Sequence, residues 1–276
     1  MEVLNSNQDN AVNFIRRENG ILESRYVERD DYFVCYLSSH TGCNMACRFC
    51  HLTATGQTHM RDASLEELLD QASPILKHNM GKIKKMHYNF MARGEPLASE
   101  TITENWKSVH SQLEGMAVAF AGVEDVKFKI STIMPETFHG NLEDRFGPEV
   151  ELYYSLYSLR PEFRRRWLPK AMEPYTALRK LRNWQRRTGG KVVIHHPFIE
   201  DENDNYFEVL ETVNAVLDSG LDTRFNCVRY NPPNSKSKES DFYEDCFDLW
   251  RDFFPNSKII ARVGYDVKAS CGMFVT

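Results

Sequence analysis

Cys43, Cys47 and Cys50 stand in the run Cys43-Asn-Met-Ala-Cys47-Arg-Phe-Cys50, a C-x3-C-x2-C. Three thiols this close can grip one metal centre without help from distant parts of a fold. Thiolates select zinc or iron–sulfur clusters. A closed zinc site needs a fourth ligand, and His51 follows at once. Three ligands alone suit a cubane cluster with one open iron. Gly94-Glu95 is a second candidate. Glycine allows close backbone approach, and a carboxylate after a strand can accept an ammonium group. His195-His196 alternate in a strand-like run, so at most one of them points inward. Cys227 and Cys246 have no motif partners and read as buried filler.

These residues need a frame, and the chain alternates strand-like with helix-like segments. Asp31–Ser39, Lys85–Ala92, Val126–Thr132, Glu151–Tyr157, Lys191–Ile199, Arg224–Tyr230 and Lys258–Val263 read as strands. Ser64-Leu-Glu-Glu67 is a capping box opening a helix to about Asn79, and Thr101-Ile-Thr-Glu104 reads as a second. Trp106, Val109 and Leu113 share one helical face. Pro174 starts a helix that Gly189-Gly190 stop, and Asn205–Leu217 and Asp241–Phe253 are helical. Repeated β-α implies a parallel sheet with covering helices. About six units without G-x-G-x-x-G after the first strand favour an α/β fold built as an open (βα)6 partial barrel over a dinucleotide fold. Functional residues then collect at the C-terminal ends of the strands.

Length and composition narrow the class. The chain has 276 residues, 42% apolar and 26% charged, which excludes a disordered chain or a coiled coil. No run approaches the ~18 apolar residues of a membrane helix, and the polar start, Met1 to Asn10, reads as neither a secretory signal nor a basic transit peptide. A net charge of −5 argues against a generally basic nucleic-acid binder. An odd count of seven cysteines without an export signal points to the cytoplasm, with cysteines used for metal or chemistry.

With these residues in view, the sequence resembles the radical S-adenosylmethionine superfamily, whose hallmark is C-x3-C-x2-C with an aromatic, here Phe49, before the last cysteine. In finer detail it resembles the RlmN/Cfr RNA methyltransferases. Leu37-Ser-Ser-His-Thr-Gly-Cys43 is similar to their V-S-S-Q-V-G-C, and Met91-Ala-Arg-Gly-Glu-Pro-Leu97 to M-G-M-G-E-P-L. Tyr154-Ser-Leu-Tyr157 is similar to I-S-L-H, and Arg164–Pro169 to R-x-x-x-x-P. Val228-Arg-Tyr-Asn-Pro232 is similar to L-I-P-x-N-P, and Gly264–Gly272 to G-D-D-I-D-A-A-C-G. The matches run in order from about Glu23 to Phe274.

The resemblance implies a 4Fe-4S cluster on Cys43, Cys47 and Cys50, with S-adenosylmethionine on its open iron. It implies contacts to S-adenosylmethionine from Gly94, Glu95, Ser131, Ser155, Leu156, Tyr157 and Asn231. It makes Cys271 the methyl-accepting cysteine and Glu23 a proton acceptor. One S-adenosylmethionine methylates the cysteine. A second yields a 5′-deoxyadenosyl radical that takes hydrogen from the S-methyl group, and the carbon radical adds to an adenine ring carbon of rRNA or tRNA. An aromatic C–H carbon is no nucleophile, so direct polar methyl transfer fails there. An electron donor such as flavodoxin or ferredoxin is a required partner.

The match departs at the family's resolving cysteine, whose position holds Tyr36. Cys35 is one residue away, on the opposite face of a strand, and substitutes only through a bulge. Tyr157 replaces a histidine, and Ile133 a small polar residue. Residues 1–22 read as a short N-terminal extension where the family carries a larger accessory domain, with 23–276 as the core domain. Arg160 to Arg187 holds ten Lys or Arg against two acids, with Trp167, Tyr175 and Trp184 interleaved. That segment either contacts structured RNA or is a solvated helix pair whose aromatics face the barrel. Two alternatives stay open: a radical enzyme of the same ancestry with different chemistry, and a zinc-stabilised RNA-binding module using His51 as fourth ligand.

Overall fold

A computed structural model describes the whole chain, Met1 to Thr276. Ten strands form one sheet in sequential order: β1 (Glu2–Asn5), β2 (Ala11–Arg16), β3 (Leu22–Glu28), β4 (Phe33–Tyr36), β5 (Lys85–Phe90), β6 (Asp125–Thr132), β7 (Val150–Ser155), β8 (Lys191–His196), β9 (Thr223–Val228) and β10 (Lys258–Ile260). β1 to β4 pair antiparallel and β4 to β10 parallel. The parallel part is the expected open (βα)6 partial barrel, and it does not close. The antiparallel strands were not legible as such. Residues 1–22 supply β1, β2 and the start of β3, so the N-terminal stretch is continuous with the barrel sheet rather than an appendage.

The helices are α1 (His51–Ala54), α2 (Leu65–Asn79), α3 (Glu100–Glu104), α4 (Trp106–Ala121), α5 (Pro161–Trp167), α6 (Pro174–Thr188), α7 (Tyr206–Asp218) and α8 (Tyr243–Phe253). The first capping box is present: Ser64 Oγ accepts from Glu67 N at 3.2 Å, and Glu67 accepts from Ser64 N at 2.9 Å. Such a cap contributes about 1 kcal/mol. The second is not. Ser99 caps α3 through Ile102 N, and the helix carrying Trp106, Val109 and Leu113 starts afresh after Asn105. Asp62 explains the earlier start, because it accepts from both Ser99 Oγ and Thr101 N.

Period-two alternation sorts each strand's side chains. Phe33, Cys35, Met86, Tyr88, Phe128, Ile130, Leu152 and Tyr154 face the helices in a large core. Val34 and Tyr36 pack on the concave side with Ala11, Val27 and Val263. A second small core over the C-terminal end of the barrel joins Met45, Cys47, Ile133, Tyr157, Phe163, Trp167, Leu168, Ile199 and Tyr230. It fastens the cysteine loop to the strand ends.

Candidate active site

The loop after β4 carries Cys43, Cys47 and Cys50. Backbone hydrogen bonds pin it, Cys43 N to Gln57 O at 3.1 Å and Arg48 N to Trp167 O at 3.0 Å. Gly42 has no room for a side chain, because an added Cβ would meet the carbonyls of Gln57 and His59. All three cysteines line one cleft of about 210 Å³ at the strand ends, open to solvent. Burial pushes the Cys43 thiol up to about 12 and the Cys50 thiol up to about 11. Without metal these groups are thiols, so binding a centre must release protons.

The donor set decides between the two metal readings. No three His, Cys, Asp or Glu side chains converge on a single-ion site. Zinc, with Zn–S near 2.3 Å, draws its thiolates to within about 3.8 Å of each other. A cubane takes one thiolate at each of three separate iron corners. His51, the proposed fourth zinc ligand, does not line the cleft. Three cysteines around one cleft fit a cluster with an open iron.

Gly94 and Glu95 lie opposite, after β5. Gly94 has φ +99°, and a Cβ there would meet Ser39 and His40 side chains. Glu95 is buried, and its oxygens accept from Leu97 N and Ile133 N, both at 3.1 Å. Burial nevertheless raises its carboxyl to about 7. An ammonium group beside it would hold it ionised. Ser131 at the end of β6 and Ser155 at the end of β7 also line the cleft. So does Tyr157, a non-glycine residue at φ +62°, whose ring packs on Phe49 with centroids 4.6 Å apart. His195 reaches the floor, while His196 points the other way onto Phe198 and Trp250.

The C-terminal segment crosses the cleft and brings Cys271 to it. Cys271 lines the cleft and is the one cysteine of the seven that is exposed as a whole residue, with its thiol turned in among its neighbours. Burial of the thiol among its neighbours, with Cys50 adding, pushes it up to about 11. Asn231 holds this segment, donating to Cys271 O at 2.8 Å and Ser270 Oγ at 3.1 Å. Its Oδ1 is buried without a partner. Asn231 therefore supports the tail rather than lining the cleft.

Three expected site residues lie elsewhere. Leu156 has its side chain in the main core, and its carbonyl accepts from Arg164. Cys35 is fully buried on the helix side of β4. The β4 register runs unbroken against both neighbours, Tyr26↔Cys35 and Cys35↔Tyr88, so no bulge turns Cys35 inward. Tyr36 faces the cleft instead, beside Arg29 and Cys271. Cys227 and Cys246 are in the core, so the cleft holds no cysteine besides Cys271 and the cluster set. Glu23 does not line the cleft. Its carboxylate is fully buried between Arg93 at 2.6 Å and Arg25 at 3.3 Å.

The basic segment Arg160 to Arg187 is also less available than its composition suggests. Arg164 is buried and donates to Leu156, Ser158 and Met172 carbonyls. Arg160, Arg166 and Arg187 pair with Glu208, Glu202 and Glu143. Trp167 and Trp184 are buried, which leaves Tyr175 as the exposed aromatic of the three. Two of the three aromatics face the fold, and one exposed tyrosine makes no stacking platform. Sequence reasoning passed over the arginines that do line the cleft: Arg25 at the base of the tail, and Arg29, Arg229 and Arg262 around it. Nothing in their spacing marked them, because each stands alone in or after a strand.

An open parallel barrel with a three-cysteine loop after its first parallel strand is the arrangement expected of a radical S-adenosylmethionine enzyme. No family profile matches the chain. It is similar to the dual-specificity RNA methyltransferase RlmN of Aliarcobacter butzleri, 24% identical over 269 residues, covering 95% of this chain and 72% of the relative. The RlmN of Wolinella succinogenes is 24% identical over 259 residues, covering 91% and 68%. Among solved structures, a radical SAM methyltransferase from Sphaerobacter thermophilus superposes with a TM-score of 0.74 at 16% identity, over 99% of this chain and 80% of its own. The chain is thus a distant homologue of the RlmN enzymes on a radical SAM methyltransferase fold.

Proposed function

We propose that this protein methylates an adenine ring carbon of a structured RNA, rRNA or tRNA, through Cys271. One observation carries the reading: an accessible cysteine on a closing tail faces the same cleft as the three cluster cysteines and Glu95. The RlmN relatives support the RNA substrate. When bound, the cluster supplies the electron that cleaves S-adenosylmethionine to a 5′-deoxyadenosyl radical. Glu95 fits the substrate's ammonium, and Ser131 and Ser155 offer hydroxyls beside it. Phe49 and Tyr157 shield the site from water.

In the polar half-reaction the Cys271 sulfur forms a bond to the methyl carbon. The sulfonium C–S bond breaks with its electron pair going to sulfur, and the thiol proton leaves to solvent. Burial holds that thiol protonated, so a nearby sulfonium charge assists ionisation. In the later half-reaction a hydrogen atom would leave the S-methyl carbon for the 5′-deoxyadenosyl radical; that carbon would then bond to the adenine carbon while still bound to the Cys271 sulfur, the ring giving up its C–H proton and returning one electron to the donor. Release of that link must use a group other than a second cysteine of this chain, since Tyr36 occupies the facing position. We place the enzyme in the cytoplasm with flavodoxin or ferredoxin as donor, in keeping with seven free cysteines. No helix is long and apolar enough to cross a membrane.

The test is anaerobic reconstitution with S-adenosylmethionine, followed by mass analysis of the Cys271 peptide. A methyl adduct on Cys271, absent in Cys271→Ala, is expected. Full RNA methylation by Cys271→Ala would overturn the reading.

A further inference from the structure

Glu23, Arg25 and Arg93 form a buried ion triad that touches the tail at five residues. Arg25, with a side chain 3% exposed, donates to the carbonyls of Ala269 at 3.1 Å, Ser270 at 3.4 Å and Met273 at 2.6 Å. These flank Cys271 on both sides. The Arg25 guanidinium also lies 4.7 Å from the Phe274 ring centre. Glu23 accepts from Val275 N at 3.1 Å. Arg93 reaches Val275 O at 3.3 Å and Thr41 O at 3.0 Å, and it also bonds Gln57. Thr41 and Gln57 flank the cysteine loop, and Arg93 itself adjoins Gly94-Glu95.

We propose that this triad is a clasp that fixes the Cys271 sulfur relative to the cluster loop and to Glu95, with Arg25 and Arg93 as positioning residues for methyl transfer to Cys271. The inference rests on the reading of Cys271 as methyl carrier. A planar guanidinium can bond three carbonyls of a curved tail at once, which an ammonium on a single centre cannot match in geometry. Two arginines against one carboxylate leave one positive charge at the base of the tail. Arg25 places it where the thiol of Cys271 feels it. Orientation is the main contribution here, because in-line attack on a methyl group loses rate steeply with misplacement of the sulfur. Glu23 is then the anchor for both arginines, a structural duty that fully occupies its two oxygens.

The experiment compares the reconstituted wild type with Arg25→Met, Arg25→Lys and Arg93→Lys. Three readouts are taken: 5′-deoxyadenosine formed, methyl adduct on Cys271, and the rate at which trypsin cuts after Lys268, which is exposed in the tail. A clasp predicts that the ratio of adduct to 5′-deoxyadenosine falls at least tenfold in Arg25→Met. It also predicts that tryptic release of the tail rises, and that Arg25→Lys recovers only part of the ratio. A general structural role would lower both products together and leave the ratio unchanged, which overturns the proposal. An unchanged ratio with an unchanged tryptic rate overturns it equally. If Arg25→Met does not fold, Arg93→Lys carries the same test with the same expected fall. Absence of any adduct on wild-type Cys271 sinks the methyl-carrier reading instead. The tryptic rates then still report whether the triad holds the tail.

Discussion

Replacing Cys35 by alanine separates two accounts of product release. Its thiol is fully buried against the helices, and β4 has no bulge to turn it. The substitution removes one sulfur from a packed core. Loss of about one methylene equivalent of burial costs about 0.8 kcal/mol. A residual cavity of roughly 25 Å³ adds about 0.6 kcal/mol. The sum, about 1.4 kcal/mol, lowers the melting temperature by about 3–5 °C for a chain of this size. Chemistry should be untouched. After incubation with S-adenosylmethionine, reductant and a pool of tRNA and rRNA, denaturing gels should show no more RNA–protein cross-link in Cys35→Ala than in wild type. Accumulation of a cross-link through Cys271 in the variant alone would refute the placement of Cys35, because only a thiol that attacks the covalent link leaves such a trace.

Two further outcomes follow from the site and the titrating groups. Anaerobically reconstituted protein should hold iron and acid-labile sulfide near four of each per chain, and Cys50→Ala should lose both. Stoichiometric zinc in a protein that still forms 5′-deoxyadenosine after Cys50→Ala would reject the cluster assignment. Burial pushes His87, His195 and His196 down to about 3, and lowers His40, His51 and His78 as well. Between the ordinary histidine value and about 3, the unfolded chain binds protons that the folded one refuses, so stability falls as pH falls. Glu95, raised to about 7, and Glu208, also raised by burial, oppose this, since the folded state keeps their protons. The three large histidine shifts outweigh the two acids. Unfolding of cluster-free protein near pH ~5.5 should take up at least about one proton net, read from the pH dependence of the urea midpoint. A midpoint that rises on acidification through this range would contradict it.

The parallel half of the fold was legible because each strand is a short run between strong helix punctuation, Ser64-x-x-Glu67 before α2 and Gly189 after α6. The antiparallel half was not. Ala11–Arg16 and Leu22–Glu28 carry Asn13, Glu23 and Arg25 among their buried residues, so their burial is invisible to a polarity pattern. Two of the matched positions are also held by local partners. Glu23 and Asn231 read as reacting or ligand-binding groups because their positions match, yet local partners decide what a side chain does. Two arginines claim Glu23, and the tail claims Asn231. Cys43, Cys47, Cys50, Glu95 and Cys271 do line one cleft, because the strand ends and the tail fix their place. The composition of Arg160 to Arg187 misled for a converse reason: a charge count ignores Glu202, Glu208 and Glu143, which are distant in sequence and adjacent in space.

The tail's fastening also sets an order of events in biosynthesis. Gly264 N bonds Asp9, Asp266 bonds Ser6, and Arg25 grips Met273, contacts spanning 255, 260 and 248 residues of sequence. The cysteine loop and the Glu95 segment emerge from the ribosome long before residue 264. Until that late stretch is made, β1 to β3 have nothing to fasten and the mouth between β10 and the first strands stands open. Cluster insertion into a nascent chain therefore meets the loop without the tail beside it, whereas in the finished protein Ala269 to Gly272 line the same cleft. Contacts of such long sequence separation also form slowly. A chain starved of iron during synthesis should accept its cluster more slowly once complete than one supplied while being made.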